Sequence, residues 1–193
     1  MLIASSGGRA RLEPLPHQGP LLVGDARGVV HGHGLEHHGL LVDGLRMAWI
    51  GDGNNVCNSM IIGCSKVGIS MAIATPTEFA PNQALVKQCK KLVSIDAGQD
   101  PTKAAKNADI IVTDTFVSIH DDPKRLKKFL PKYQVNSALM SKAKKSCIFM
   151  HCLPAKRDQE VTSDVIDGPQ SVIWDEAENR LHSQKALLVS LRI

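Results

Sequence analysis

From residue 47 onward the chain alternates short β-rich apolar runs with stretches of helical periodicity, and no other feature constrains the fold as much. Strands are expected at Met47–Ile50, Ser70–Ala74, Leu92–Ile95, Ile110–Thr113, Cys147–Met150 and Val172–Trp174. Helices are expected between and after them, at Asn55–Val67, Asn82–Lys91, Pro101–Asn107, Pro123–Phe129, Ser137–Lys144 and Glu176–Leu191. Strands separated by helices assemble as βαβ units with a parallel sheet. Runs such as Ile110-Ile111-Val112 are apolar at every position, as a strand covered on both faces requires. The expected fold class is therefore α/β: an open parallel sheet with helices on both faces, three-layered and Rossmann-like.

The first 46 residues use a different vocabulary. They hold nine of the 15 glycines and five of the eight histidines, yet no Lys, Asn, Thr, Phe, Tyr, Trp or Cys. They show no sustained period, and their Gly, Pro and His clusters suit irregular chain. Residues 1–46 are expected to be an irregular, disordered or mistranslated segment, and residues 47–193 the folded domain. The run from His31 to His38 invites a metal reading, but a flexible tract fixes no ligand geometry.

Composition excludes several function classes. Aromatics make up 4% and the net charge is only +4, so neither base stacking nor phosphate-backbone binding is supported, and no nucleic-acid partner is expected. No apolar run is long enough to span a membrane. The five cysteines, Cys57, Cys64, Cys89, Cys147 and Cys152, contain no C-x-x-C pair and are odd in number. Neither zinc nor a disulfide framework is indicated, and a cytoplasmic chain with reduced thiols is expected. Cys64 and Cys147 read as small core residues.

In an open parallel sheet, ligands bind beyond the carboxyl ends of the strands. Three polar turns fall there: Gly51-Asp52-Gly53-Asn54-Asn55, Asp114-Thr115-Phe116-Val117-Ser118 and His151-Cys152-Leu153-Pro154. The first begins like a dinucleotide fingerprint, but the last required glycine is Val56. Its glycines suit a tight turn, with Asn54 or Asn55 opening the next helix, where free N–H groups and the helix dipole favour a carboxylate. A helix cap explains the asparagines equally well. Asp114 ends an apolar strand and could attract an ammonium group or serve a turn. Cys152, emerging from a buried strand and facing Asp114, could act as a polar ligand or proton acceptor. His151 is adjacent, but neighbours on one strand point to opposite faces, which disfavours a Cys–His nucleophile. The lysine clusters of 124–132 and 142–145 read as solvated helix faces.

Together GDGNN at 51–55, DTFVS at 114–118, HCLPAKR at 151–157 and EAENR at 176–180 resemble the ornithine carbamoyltransferases, specifically their C-terminal, ornithine-binding half. The resemblance implies transfer of the carbamoyl group of carbamoyl phosphate to the δ-amine of L-ornithine, without metal or organic cofactor. It implies that Asn55, Asp114, Ser118 and Ile119 hold ornithine, and that Cys152, Leu153 and Arg180 touch carbamoyl phosphate. Cys152 would accept the amine's proton, supported by Asp114, and His151 would help polarise the carbamoyl oxygen. The family usually forms trimers, which implies a homo-oligomer. The family's N-terminal phosphate-binding motifs are absent from residues 1–46, implying a truncated copy with little turnover alone. Ser118-Ile119-His120 stands where the family usually has Ser-Met-Gly, so another amine such as putrescine, or a non-catalytic amino-acid-binding module, is the alternative.

Overall fold

The computed structural model describes residue 42 and residues 44–118 and 121–191. The expectations for Ile119 and for residues 1–41, including the His31–His38 run, lie outside the described residues. Five strands form one parallel sheet: β1 (Arg46–Ile50), β2 (Ser70–Ala74), β3 (Ile95–Gly98), β4 (Ile110–Thr113) and β5 (Ile148–His151), in the order β3-β2-β1-β4-β5. The helices are α1 (Asn55–Val67), α2 (Gln83–Cys89), α3 (Pro101–Ala105), α4 (Ser137–Met140), α5 (Ser163–Ile166) and α6 (Ile173–Leu191).

Alternation along each strand sorts the core into two layers. Met47 and Trp49 of β1 join Met71, Ile73, Ile110 and Val112 on one face, closed by Cys57, Ile61 and Cys64 of α1 and Val86 of α2. Ala48, Ile50, Ala72, Ala74 and Ile111 face the other way. The small alanines there admit Ala104 and Ala105 of α3 closely, while Phe116, Phe129 and Phe149 fill the rest. Phe129 stacks on both Phe79 and Phe116, with ring centroids 4.8 and 4.6 Å apart. Cys57, Cys64, Cys89 and Cys147 are buried core thiols.

Strong local patterns appear where they are expected. The strands β2 and β4 and the helix α1 have the expected bounds. Differences have local causes. The strand expected at Leu92–Ile95 begins only at Ile95, because Leu92 and Val93 donate to the carbonyl of Cys89 in the exit turn of α2. The resulting β3 is an edge strand with Asp96, Ala97 and Gly98 exposed, as edges tolerate. The helix expected at Pro123–Phe129 is a 3₁₀ helix over Pro123–Lys128, whose three-residue period sets Leu126 in line with buried Phe129. Val172–Trp174 is not a strand. Val172 donates to the carbonyl of Phe149 and the chain then turns into α6, whose first turn carries Asp175 and Glu176 against the helix dipole. Helix α5 and a 3₁₀ turn at Thr77–Phe79 were not expected.

Two strands lead away from β1 on one side and two on the other, so the order reverses between β1 and β4. At such a switch point the turns leaving neighbouring strands diverge and open a crevice. Gly53 lies in the β1 turn against the neighbouring backbone. A Cβ there would come within 2.3 Å of Pro81 N and 2.5 Å of the Phe79 carbonyl oxygen. Gly53→Ala is expected to cost about 2–3 kcal/mol in urea unfolding, because no side chain can yield to make room. A loss below about 0.5 kcal/mol would show that the turn is free to shift.

Candidate functional site

The β1 turn is built around Asn54. Its side-chain oxygen caps α1 by accepting from Val56 N and Cys57 N, both at 3.0 Å. Its amide nitrogen is thereby turned outward and donates to Asp114 Oδ2 at 2.7 Å. Trp49 Nε1 anchors the same turn from below through the Asp52 carbonyl.

Asp114 follows β4 and is buried. Its Oδ1 accepts from Thr115 N at 2.7 Å and from Cys152 Sγ at 3.3 Å. One carboxylate thus collects donors from the turns after β1, β4 and β5. Cys152 is the exposed member of the five cysteines. Burial of its sulfur pushes the thiol up to about 12, and the charge and hydrogen bond of Asp114 add to that, followed by the charge of Glu176. The thiol therefore keeps its proton at neutral pH and directs it at Asp114.

His151 closes β5 and is fully buried. Its backbone N–H donates to Glu176 Oε2 at 2.9 Å, tying β5 to the first turn of α6. Burial raises the Glu176 carboxyl above its ordinary value against the pull of that N–H. The ring Nδ1 accepts from Leu153 N at 2.9 Å. Leu153 sits at φ 53, a left-handed conformation costing about 1 kcal/mol for a residue with a Cβ, and this bond helps hold it there. The ring's Nε2 lies 3.5 Å from Glu160 Oε1, which also accepts from Lys156 N at 2.6 Å. Lys156 Nζ crosses to the Val117 carbonyl at 2.7 Å and so links the β5 turn to the β4 loop.

The mouth of the β4 loop is tied back to β1. Ser118 N donates to Asp121 Oδ2 at 2.7 Å, Asp121 pairs with Arg125 at 2.6 Å, and Arg125 pairs with Asp52. The Arg125 guanidinium lies 4.6 Å above the Phe79 ring centroid. Burial raises the Asp52 carboxyl, and Arg125 opposes that shift.

The structure thus brings Asp114 and Cys152 into contact, while Asn55, next in sequence to Asn54, is exposed at the first position of α1. Ser118 is exposed, Leu153 is half-buried, and Arg180 is exposed about two turns along α6. The His151 ring is fully buried, with Nδ1 accepting from Leu153 N and Nε2 facing Glu160. The alternation argument does not separate His151 from Cys152, because β5 ends at His151 and Cys152 already lies beyond the strand. A ligand atom from each of Asp114, His151 and Cys152 lies within 4.8 Å of the others. With the thiol proton directed at Asp114 and Nδ1 accepting from Leu153, this trio does not present three free lone pairs to a cation. Sequence reasoning missed Asn54 as the partner of Asp114, Arg125 among the supposedly solvated basic residues, and Glu160.

A doubly wound parallel sheet with polar turns converging at its switch point defines a ligand-binding α/β domain. Residues 43–191 match the family model of the aspartate/ornithine carbamoyltransferase Asp/Orn binding domain, and the chain belongs to that family. It is 61% identical over 151 residues to the ornithine carbamoyltransferase of Cenarchaeum symbiosum, covering 78% of this chain and 50% of that one. With the ornithine carbamoyltransferase of Methanococcus aeolicus it shares 46% identity over 162 residues, covering 79% and 53%. The solved structure of the Pyrococcus furiosus ornithine carbamoyltransferase superimposes with a TM-score of 0.72 at 42% identity, covering 76% of this chain and 49% of that one. The chain spans about half the length of the curated relatives it matches. Among the described residues no helix is long and apolar enough to cross a membrane.

Removing the Asp114 charge withdraws two of the influences that raise the Cys152 thiol, so its pKa must fall. Asp114→Asn is therefore expected to speed reaction of Cys152 with a disulfide reagent at pH 8 by about three- to fourfold per pKa unit released, the tenfold gain in thiolate being partly offset by its lower nucleophilicity. In the parent chain the rate should keep rising with pH toward about 12. A thiol reacting equally fast in both proteins would refute the coupling.

Proposed function

We propose that this chain provides the amino-acid side of an ornithine carbamoyltransferase, in which the δ-amine of L-ornithine attacks carbamoyl phosphate to give citrulline and phosphate. The observation that carries the reading is the Asp114 carboxylate holding the exposed Cys152 thiol at the switch point, beside the amino terminus of α1. The names of the relatives supply the substrates.

In this reading Asn55 and Asp114 receive the amino-acid end of ornithine, and Ser118 adds its hydroxyl, with Ile119 carried over from the family pattern alone. Free ornithine carries a protonated δ-amine, which must lose that proton before it can attack. A thiol that already donates to Asp114 leaves its sulfur lone pairs facing outward, where they receive the amine's N–H. The proton then passes by way of the thiol toward the Asp114 carboxylate. The amine nitrogen bonds to the carbamoyl carbon, the bond from that carbon to the bridging phosphate oxygen breaks, and phosphate leaves with the bonding pair and takes up the second proton that the nitrogen sheds as it becomes an amide. Arg180 and the backbone at Cys152 and Leu153 serve the carbamoyl phosphate side. His151 supports the turn on which Cys152 and Leu153 stand. Positioning by three separate turns supplies the proximity that such a two-substrate reaction needs.

Isothermal titration of the chain with L-ornithine and with norvaline, which lacks the δ-amine, tests the reading. Saturable binding of both, lost in Asp114→Ala with the melting transition retained, is the expected result. No heat from either ligand at millimolar concentration would refute it.

A further inference from the structure

Two buried polar atoms beneath the Cys152 turn, His151 Nε2 and Glu160 Oε2, lack a hydrogen-bond partner among the described residues. Both residues are 0% exposed, and Nε2 stands 3.5 Å from Glu160 Oε1. Buried polar groups are nearly always satisfied, so a facing pair this poorly bonded calls for a reason. The reason lies on the other side of the ring. Nδ1 accepts the N–H of Leu153, the residue held in the left-handed conformation directly after Cys152. A nitrogen that accepts cannot carry a proton, so the neutral ring must carry its proton on Nε2, facing the carboxylate. The opposite tautomer would set two N–H groups against each other at Leu153 and leave a bare Nε2 facing a carboxylate oxygen.

We propose that Glu160 is a positioning residue for the Cys152 turn, acting by selecting the Nε2–H tautomer of His151. The same Oε1 accepts Lys156 N, so one carboxylate grips both ends of the 151–156 segment. Glu176 completes the hold by accepting His151 N. Selection of the tautomer keeps Nδ1 free for Leu153, and Leu153 in turn sets the direction in which Cys152 leaves β5 toward Asp114. Glu160 and His151 are both fully buried. The proposal rests on the reading of Cys152 as the group beside the amine only for its functional meaning.

The test is a two-bond ¹H–¹⁵N spectrum of the full chain labelled with ¹⁵N-histidine, with His151 assigned by its disappearance in His151→Gln. The parent is expected to show an unprotonated Nδ1 and a protonated Nε2 at neutral pH. An Nδ1–H tautomer or an imidazolium there overturns the proposal without any need for a folded Glu160 variant. Glu160→Gln retains an acceptor oxygen and is expected to keep the tautomer and the thiol reactivity of Cys152. Glu160→Leu, where its melting transition shows it folded, is expected to mix the tautomers and raise Cys152 reactivity about tenfold. A folded Leu variant with parental tautomer and parental thiol rate also overturns the proposal. Failure of ornithine to bind a chain showing the expected tautomer would count against the functional reading alone.

Discussion

The Asp114 carboxylate is the constraint on which the rest of the site depends. It accepts from Asn54, Thr115 and Cys152, which belong to three turns leaving three different strands. None of those turns is rigid by itself. They become mutually fixed because a buried carboxylate needs several donors, and the switch point of the sheet is where donors from separate strands can reach it together. Asn54 shows the economy of the arrangement: its oxygen serves the helix while its nitrogen serves the site, so capping α1 and aiming Asp114 are one act.

Around this centre the supporting contacts run in a ring. Arg125, seated on Phe79, binds the base of the β4 loop to Asp52 in the β1 turn. Lys156 joins the β5 turn to the β4 loop, and Glu176 joins β5 to α6. Most of these contacts involve at least one charged and partly desolvated group, for which the loss of one partner is more costly than the bond is favourable. Such a ring resists piecemeal change. The two aromatic stacks on Phe129 give it a firm floor.

Much of the fold was legible because it rests on short-range signals. The all-apolar strand Ile110–Thr113 and the capped helix Asn55–Val67 announce themselves in composition and period alone. The three polar turns could also be placed at the strand ends from order alone, and the contact of Asp114 with Cys152 follows the expectation that they face each other. What was not legible depends on distant partners. Two adjacent asparagines offer the same chemistry, and only the backbone at the helix start decides that Asn54 caps while Asn55 stays exposed. Arg125 looks like its lysine neighbours until Phe79 and Asp52 arrive from elsewhere in the chain. Glu160 carries no local pattern at all. The strand alternation used to set His151 apart from Cys152 does not reach Cys152, which lies beyond the end of β5.

The state of the thiols also governs how the molecule meets oxygen. Four of the cysteines are sealed in the core, and the fifth is open to solvent but carries its proton up to about pH 12. Oxidation to sulfenic acid and exchange with disulfides both proceed through the thiolate, which is the minor form of this side chain at neutral pH. The same carboxylate that directs the Cys152 proton therefore makes the exposed sulfur slow to oxidise, and copies of the chain slow to cross-link through it.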